Sequence, residues 1–290
     1  MQLSKPSRMS CSGSSRPMNT ILLSRFSSAF HLRWLSPSSI ICTPWNTKRS
    51  SSPLNELNLK LPKPNVLYVT HPHADHINDV ETALDTKFQP SGINYQTYDW
   101  DDVKGREKPE LRYKVDKFKE LIGKVPFRYY GGSAKVEVFR YTPQDAKKNW
   151  GDASYVNNSS YFLVYTWRDF KISIAGDLES DGMKAMVASD NVQKEAKGTY
   201  ILIPSHHGHT NGFPTEWVTK MGKPHVSIIS VQSRDLSVDS RYSSPDFAQG
   251  VKWNSEGKIS YTLTTRSKGH ILVQMSYGQS GKSQWSFNSF

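Results

Sequence analysis

The sequence predicts an α/β layered domain over residues 61–290, behind a Ser- and Arg-rich leader at 1–60. Three observations carry that expectation. Short apolar runs recur along the body and alternate with segments of helical spacing. Most of the runs stop abruptly at His, Asp or Gly, which gathers polar residues at strand ends. The first acidic residue is Glu56, so the charge pattern changes close to where the apolar pattern begins.

Taken in order, Asn65–Thr70 (NVLYVT) is apolar and ends at His71, the pattern of a buried strand. Ile77, Val80 and Ala83 share a helical face, so a short helix is expected over 77–87. Residues 91–150 are charged and aromatic by turns and show no clear period. Tyr161–Trp167 and Phe170–Ile174 read as two strands joined by an Arg168-Asp169 turn, the second ending at Ala175-Gly176-Asp177. Leu178–Ser189 reads as a helix. Thr199–Pro204 (TYILIP) is a strand running into Ser205-His206-His207-Gly208, and Val226–Val231 (VSIISV) repeats the theme. Lys258–Thr265 and His270–Met275 are expected to form a hairpin around Lys268-Gly269.

Composition narrows the classes. A chain of 290 residues, 36% hydrophobic and 12% aromatic, is long enough to bury a sizeable core. Two Cys, Cys11 and Cys42, exclude a disulfide scaffold and a Cys-ligated zinc finger or iron–sulfur cluster. No run approaches the roughly 18 apolar residues of a membrane span, so no integral membrane segment is expected. The net charge is +11, but residues 1–55 hold five Arg, two Lys and fifteen Ser with no acid. The remaining excess falls in residues 91–150, with thirteen Lys/Arg against nine Asp/Glu. An acid-free, Ser- and Arg-rich leader has the composition of an organelle transit peptide, and Ile21–Trp34 is suited to an amphipathic turn or two. The alternative is a disordered N-terminus that targets nothing. The location expected is accordingly cytoplasmic, or organellar if the leader is a transit peptide.

The chemistry concentrates in His71-Pro72-His73-Ala74-Asp75-His76, which holds three of the nine His and an Asp in six residues. Imidazole and carboxylate are ligands for Zn²⁺ and similar first-row ions, and a strand-to-helix turn lets near neighbours converge. His71 and His73, two apart, can point the same way as the strand ends. Asp75 and His76 begin the turn and can face a second ion. Downstream, Asp177 ends a strand with a carboxylate able to bridge two ions, and His206, His207 and His209 follow another strand. A single carboxylate at a strand end is by itself as readily a helix cap. The three segments together point to a metal centre.

On these residues the sequence resembles a metallo-β-lactamase-fold hydrolase. More narrowly it is similar to the hydrolase domain of DNA-uptake competence proteins of the ComEC type. That narrower likeness rests on Asn157-Asn158-Ser159-Ser160, Ala175-Gly176-Asp177-Leu178-Glu179, His206-His207-Gly208, Lys223-Pro224-His225-Val226, Arg241-Tyr242-Ser243-Ser244-Pro245 and the Thr265–Val273 hairpin, within residues 62–276. The resemblance implies a four-layer αββα sandwich. Strands that normally precede the first motif are not legible in residues 1–60, so they are expected to be missing or replaced.

The resemblance also implies roles. His71 and His73 correspond to ligands of a first metal, Asp75 and His76 to ligands of a second, and Asp177 to the bridge. Either His206 or His207 supplies the late ligand. The implied cofactor is Zn²⁺, as one or two ions, with Mn²⁺ an alternative. The implied chemistry is hydrolysis by metal-bound hydroxide, with Asp75 and Asp177 as the catalytic carboxylates. Asn157-Asn158 stand where most members carry a His, which implies a weak first site that Asn158→His would tighten. Asn157, Asn158 and His209 are expected beside the metals or the substrate, whereas His225 and His270 are expected to be structural.

Two substrate classes follow. Phosphodiesters, nucleic acid above all, suit the basic and aromatic segment 91–150, which is fitted to grip a backbone and stack bases. Small thioesters, lactones or β-lactams would use the same donors without that segment. A non-catalytic binding module with a degraded site is a third reading, and the intact first motif argues against it.

Overall fold

The computed structural model describes residues 6–11, 21–24, 30–33, 39–42, 66–85, 89–129, 134–231, 237–253, 257–268, 271–277 and 283–289. Its strands begin with β1 (Ser7–Cys11), β2 (Ile21–Ser24), β3 (Phe30–Arg33), β4 (Ser39–Cys42), β5 (Val66–Val69) and β6 (Gly92–Asn94). The central ones are β7 (Lys135–Arg140), β8 (Phe162–Trp167), β9 (Phe170–Ile174), β10 (Ile201–Ile203) and β11 (Val226–Ile229). Then follow β12 (Val251–Lys252), β13 (Ile259–Ser260), β14 (Thr262–Thr264), β15 (Ile271–Tyr277) and β16 (Ser283–Ser289). The fold is mixed α/β, built on a seven-stranded sheet in the order β1-β7-β8-β9-β10-β11-β14.

That sheet is antiparallel from β1 to β9 and parallel from β9 to β14. The β8–β9 hairpin closes on Arg168 at φ 56°, the left-handed backbone a two-residue turn needs. Both faces of the sheet are buried. Phe162 and Val164 join a core with Phe118 and Leu121 of the helix Arg112–Lys124 and Met183 and Met186 of the helix Ser180–Ala188. Leu163 and Tyr165 join a second core with Val66, Tyr68, Ile271, Val273 and Phe287 from the other sheets. A strand buried on both faces must be apolar throughout, which is why FLVYTW reads as a continuous run. Among the described residues no helix is long and apolar enough to cross a membrane.

The N-terminal expectation is corrected. The described strands Ser7–Cys11, Ile21–Ser24, Phe30–Arg33 and Ser39–Cys42 belong to the larger sheets. β1 caps the seven-stranded sheet, in register Ser7↔Arg140 with β7. β2 runs parallel to β5 in a three-stranded sheet, Ile21↔Val66, and β3–β4 extend the sheet of β15 and β16. Within the stretch 21–34, where an amphipathic turn was expected, the described residues Ile21–Ser24 and Phe30–Arg33 are strands, and 25–29 and 34 lie outside the described residues. Short isolated helices are marginal in water, whereas β5, β7 and β15 offer backbone edges that a strand satisfies. Glu137, 1% exposed, draws Arg8 to itself at 3.0 Å and Lys135 at 2.9 Å, so one leader cation neutralises a buried acid of the body.

The C-terminal hairpin is also corrected. β14 pairs in parallel with β11, whereas β15 pairs with β4 and β16, so the two strands lie in different sheets. The helical turn Thr265–Lys268 separates them. Thr265 Oγ1 accepts the Val231 N–H at 3.0 Å and fixes the chain at the end of β11 before it leaves that sheet.

Segment 91–150, without a legible period, folds into helices Trp100–Arg106, Arg112–Lys124 and Pro143–Trp150 and strands β6 and β7. Pro143 begins its helix behind Thr142, whose hydroxyl accepts the Asp145 N–H at 3.1 Å.

Candidate metal centre

Four strand ends build the site. β5 runs into Thr70 and His71, and the chain then turns, with His73 O accepting the N–H of His76 at 2.8 Å and of Ile77 at 3.2 Å. Glu107 Oε1 accepts the Ala74 N–H at 2.8 Å and pins the turn from outside. β9 ends before Gly176, whose φ of +57° swings the chain so that Asp177 N–H reaches Ser160 Oγ at 3.0 Å. Ser160 itself stands just before β8. β10 leads to His206 and His207 at φ 47° and 56°. Left-handed backbone at two consecutive non-glycine residues is uncommon and costs free energy, and it is spent on aiming a side chain.

The result is convergence. Asp177 Oδ2 lies 3.0 Å from His76 Nε2 and 3.5 Å from His207 Nε2. Asp75 Oδ2 lies 3.2 Å from His207 Nε2 and 3.4 Å from His76 Nε2. One donor atom from each of Asp75, His76, Asp177 and His207 falls within 4.8 Å of all the others. Four ligands bound tetrahedrally at about 2.0–2.2 Å stand about 3.3–3.6 Å apart, so the set fits a single Zn²⁺-sized ion. Two imidazoles and two carboxylates suit Zn²⁺ and Mn²⁺ alike. Burial would raise the Asp75 carboxyl, but the neighbouring His76, His207 and His71 outweigh it and hold it well below the usual carboxylate range.

The other candidates are placed around this set. His71 Nε2 is 3.9 Å from Asp177 Oδ2 and 3.1 Å from His73 Nδ1, so His71 adjoins the cluster and His73 reaches it through His71. His206 is not among the four clustered donors. Its backbone N–H goes to Gly176 O at 3.0 Å and its ring stacks on His209 at 5.5 Å. His209 is held by Ser237 Oγ, 3.0 Å from its Nδ1. His225 stacks on Tyr200 at 3.5 Å, far in role from the donors, and burial lowers its pKa. His270 lies outside the described residues.

Asn157 and Asn158 both meet Glu179, two residues after Asp177. Asn158 Oδ1 accepts the Glu179 N–H at 2.8 Å and Asn157 Nδ2 donates to Glu179 Oε1 at 2.9 Å. Glu179 precedes the helix Ser180–Ala188, so the pair secures the loop that carries Asp177. Gly182 lacks the Cβ that would collide with the Asn158 amide. Asn158→His is therefore expected to cost about 1–3 kcal/mol, through a lost acceptor and overpacking, and to leave metal affinity without gain. Urea unfolding and chelator competition on the same variant check both halves.

Residues that sequence reasoning missed are Thr70, Glu107 and the hydroxyl of Ser160. Thr70 Oγ1 lies 3.4 Å from Nδ1 of both His71 and His76. The only signal in the chain was Ser160's place in Asn157-Asn158-Ser159-Ser160, since a buried hydroxyl carries no pattern of its own.

No protein-family model and no curated protein matches the chain. Among solved structures it is similar to a mutant of the CmlA β-hydroxylase, at 12% identity and a TM-score of 0.41 over 67% of this chain. It is also similar to a protein described as a metal-dependent hydrolase from Parabacteroides distasonis ATCC 8503, at 17% identity and a TM-score of 0.27, over 60% of this chain and 78% of that one. The chain spans 44% of the length of the β-hydroxylase.

Proposed function

We propose that this chain is a metal-dependent hydrolase with the four-layer αββα architecture of metallo-β-lactamase-fold enzymes, acting on phosphodiesters and on nucleic acid in particular. The observation that carries the reading is the meeting of Asp75, His76, Asp177 and His207 donor atoms within 4.8 Å, from three separate stretches of chain. A Zn²⁺ or Mn²⁺ ion held there would supply Lewis acidity and make water a stronger nucleophile near neutral pH. The protein's own part is to hold and orient. His76 and Asp177 are buried and fixed by their neighbours, which presets the donors. The Asp75 side chain, 42% exposed, opens toward solvent, so it can orient a water beside the ion.

Support for a nucleic-acid substrate lies in segment 91–150. Phe127, 46% exposed, and Tyr129 stand 5.4 Å apart beside exposed Arg128, a combination suited to stacking bases next to a backbone charge. The narrower likeness to competence-type hydrolases belongs to the same proposal. One observation favours small thioesters, lactones or β-lactams instead. Lys104, Arg106, Lys117, Lys124 and Lys147 are paired with Asp116, Asp102, Glu120 and Asp152, which lowers the positive potential available to a polyanion.

A substrate panel decides between them. With Zn²⁺ or Mn²⁺ added, the purified chain is expected to cleave bis-p-nitrophenyl phosphate and single-stranded DNA, and to lose this activity with chelator. Turnover of lactones or nitrocefin alone would favour the second reading. A chain that binds neither metal would overturn both.

A further inference from the structure

We propose that Ser160 is a positioning residue of the metal centre, whose single hydroxyl sets both the ring orientation of His71 and the backbone of Asp177. The inference rests on the metal-centre reading above and goes beyond it by assigning a role to a residue that offers the ion no charge.

Three distant stretches meet at this oxygen. Ser160 is fully buried. Its main chain is fixed on both sides, with its own N–H on Asn157 O at 2.9 Å and the Tyr161 N–H on Thr70 O at 3.0 Å. Its Oγ accepts the Asp177 N–H at 3.0 Å and lies 3.1 Å from His71 Nδ1. The space for it exists because Gly176 has no side chain, since a Cβ there would stand 2.6 Å from Ser160 Cβ and 3.0 Å from its Oγ.

The hydroxyl inventory gives this geometry a consequence. A serine oxygen has two lone pairs and one proton. The Asp177 N–H occupies one lone pair. The second can accept a proton from His71 Nδ1, and in that tautomer the lone pair of His71 is on Nε2, which faces His73 Nδ1 at 3.1 Å and which an ion would have to take over from that contact. Nε2 is the nitrogen on the Asp177 side, 3.9 Å from Oδ2. If the hydroxyl instead donated to Nδ1, Nε2 would hold the proton and could not ligate. An ion that takes His71 Nε2 as a further ligand beside the four clustered donors selects the tautomer that Ser160 accepts from, and Ser160 stabilises it. Thr70 Oγ1 makes a longer contact to the same Nδ1, at 3.4 Å, and is the weaker partner. Outer partners of this kind are typically worth 10–100-fold in metal affinity.

The test compares the full chain with Ser160→Ala, which removes one oxygen and adds no bulk. Zn²⁺ affinity is measured by competition with a chromophoric chelator, without substrate. Imidazole ¹⁵N NMR of the Zn²⁺-loaded protein follows the Nδ1–H of His71. Ser173→Ala serves as the control, because it deletes a buried hydroxyl that meets Thr199 Oγ1 at 2.6 Å in the sheet and touches no imidazole. Ser160→Ala is expected to weaken Zn²⁺ binding about 10–100-fold and to lose the protected Nδ1–H signal, while Ser173→Ala keeps both. Wild-type affinity and an unchanged signal in Ser160→Ala would overturn the proposal and leave the metal centre standing. An equal loss in Ser173→Ala would assign the effect to general stability and overturn it as well. A wild-type chain that binds no Zn²⁺ would remove the metal centre itself, and this role with it.

Discussion

Asp177→Ala is expected to remove bound metal and hydrolysis together while the chain stays folded. Asp177 is the donor that the others share. Its Oδ2 lies 3.0 Å from His76 Nε2, 3.5 Å from His207 Nε2 and 3.9 Å from His71 Nε2. Without it Asp75 alone is left to offset a dication, and one of four bonds is gone. Residues that merely support a ligand already cost about 10–100-fold when removed, so loss of this carboxylate should exceed about 100-fold in affinity. Metal content after dialysis against a weak chelator and hydrolysis of the activated phosphodiester are the two readings. His225→Ala is the comparison, because that ring packs on Tyr200 and is not among the clustered donors. Full metal content in Asp177→Ala, or an equal loss in His225→Ala, would show that the donor set has been misassigned.

Gly176→Ala is expected to give a large loss of stability. Its φ of +57° costs an L-residue about 1–2 kcal/mol. The added Cβ would also stand 2.6 Å from Ser160 Cβ and 3.0 Å from Tyr161 O. Both neighbours are fully buried, and one contact is to backbone, so neither can swing away. Overpacking of that kind adds about 1–3 kcal/mol, for a total of about 2–5 kcal/mol. Gly198→Ala separates the two contributions. Gly198 has φ +76° but no atom within 4 Å of its would-be Cβ, so only the conformational cost applies. Urea unfolding of both variants should show the Gly176 loss clearly the larger. Equal losses would mean that the close approach to Ser160 is absent in solution.

The donor residue types were legible because metal ligands are a matter of side-chain chemistry. His71-Pro72-His73-Ala74-Asp75-His76, Asp177 and His206-His207 follow apolar runs, and each does stand at a strand end. The β8–β9 hairpin was legible for a similar local reason, since strands buried on both faces must be apolar throughout. What lay beyond the sequence depended on direction and on distant partners. His207 rather than His206 meets the carboxylates because two successive positive φ angles aim it there, and no residue type encodes that turn. Asn158 has the same donor atoms wherever it stands, and only the nearby Glu179 N–H and Gly182 make it a brace.

The N-terminal strands carry the same lesson over a longer range. Residues 7–42 have little apolar period, yet Ser7 pairs with Arg140 and Ile21 with Val66. Strand formation there draws on the open edges of β7 and β5, which no local window contains. The parting of β14 from β15 was likewise hidden, because strand spacing looks the same whether two strands pair with each other or each with another sheet. Composition and local period thus determined which residues have metal-donor side chains and that they stand at strand ends. Tertiary structure decided which of them meet, because side-chain direction follows from backbone dihedrals and edge pairing follows from contacts more than a hundred residues apart.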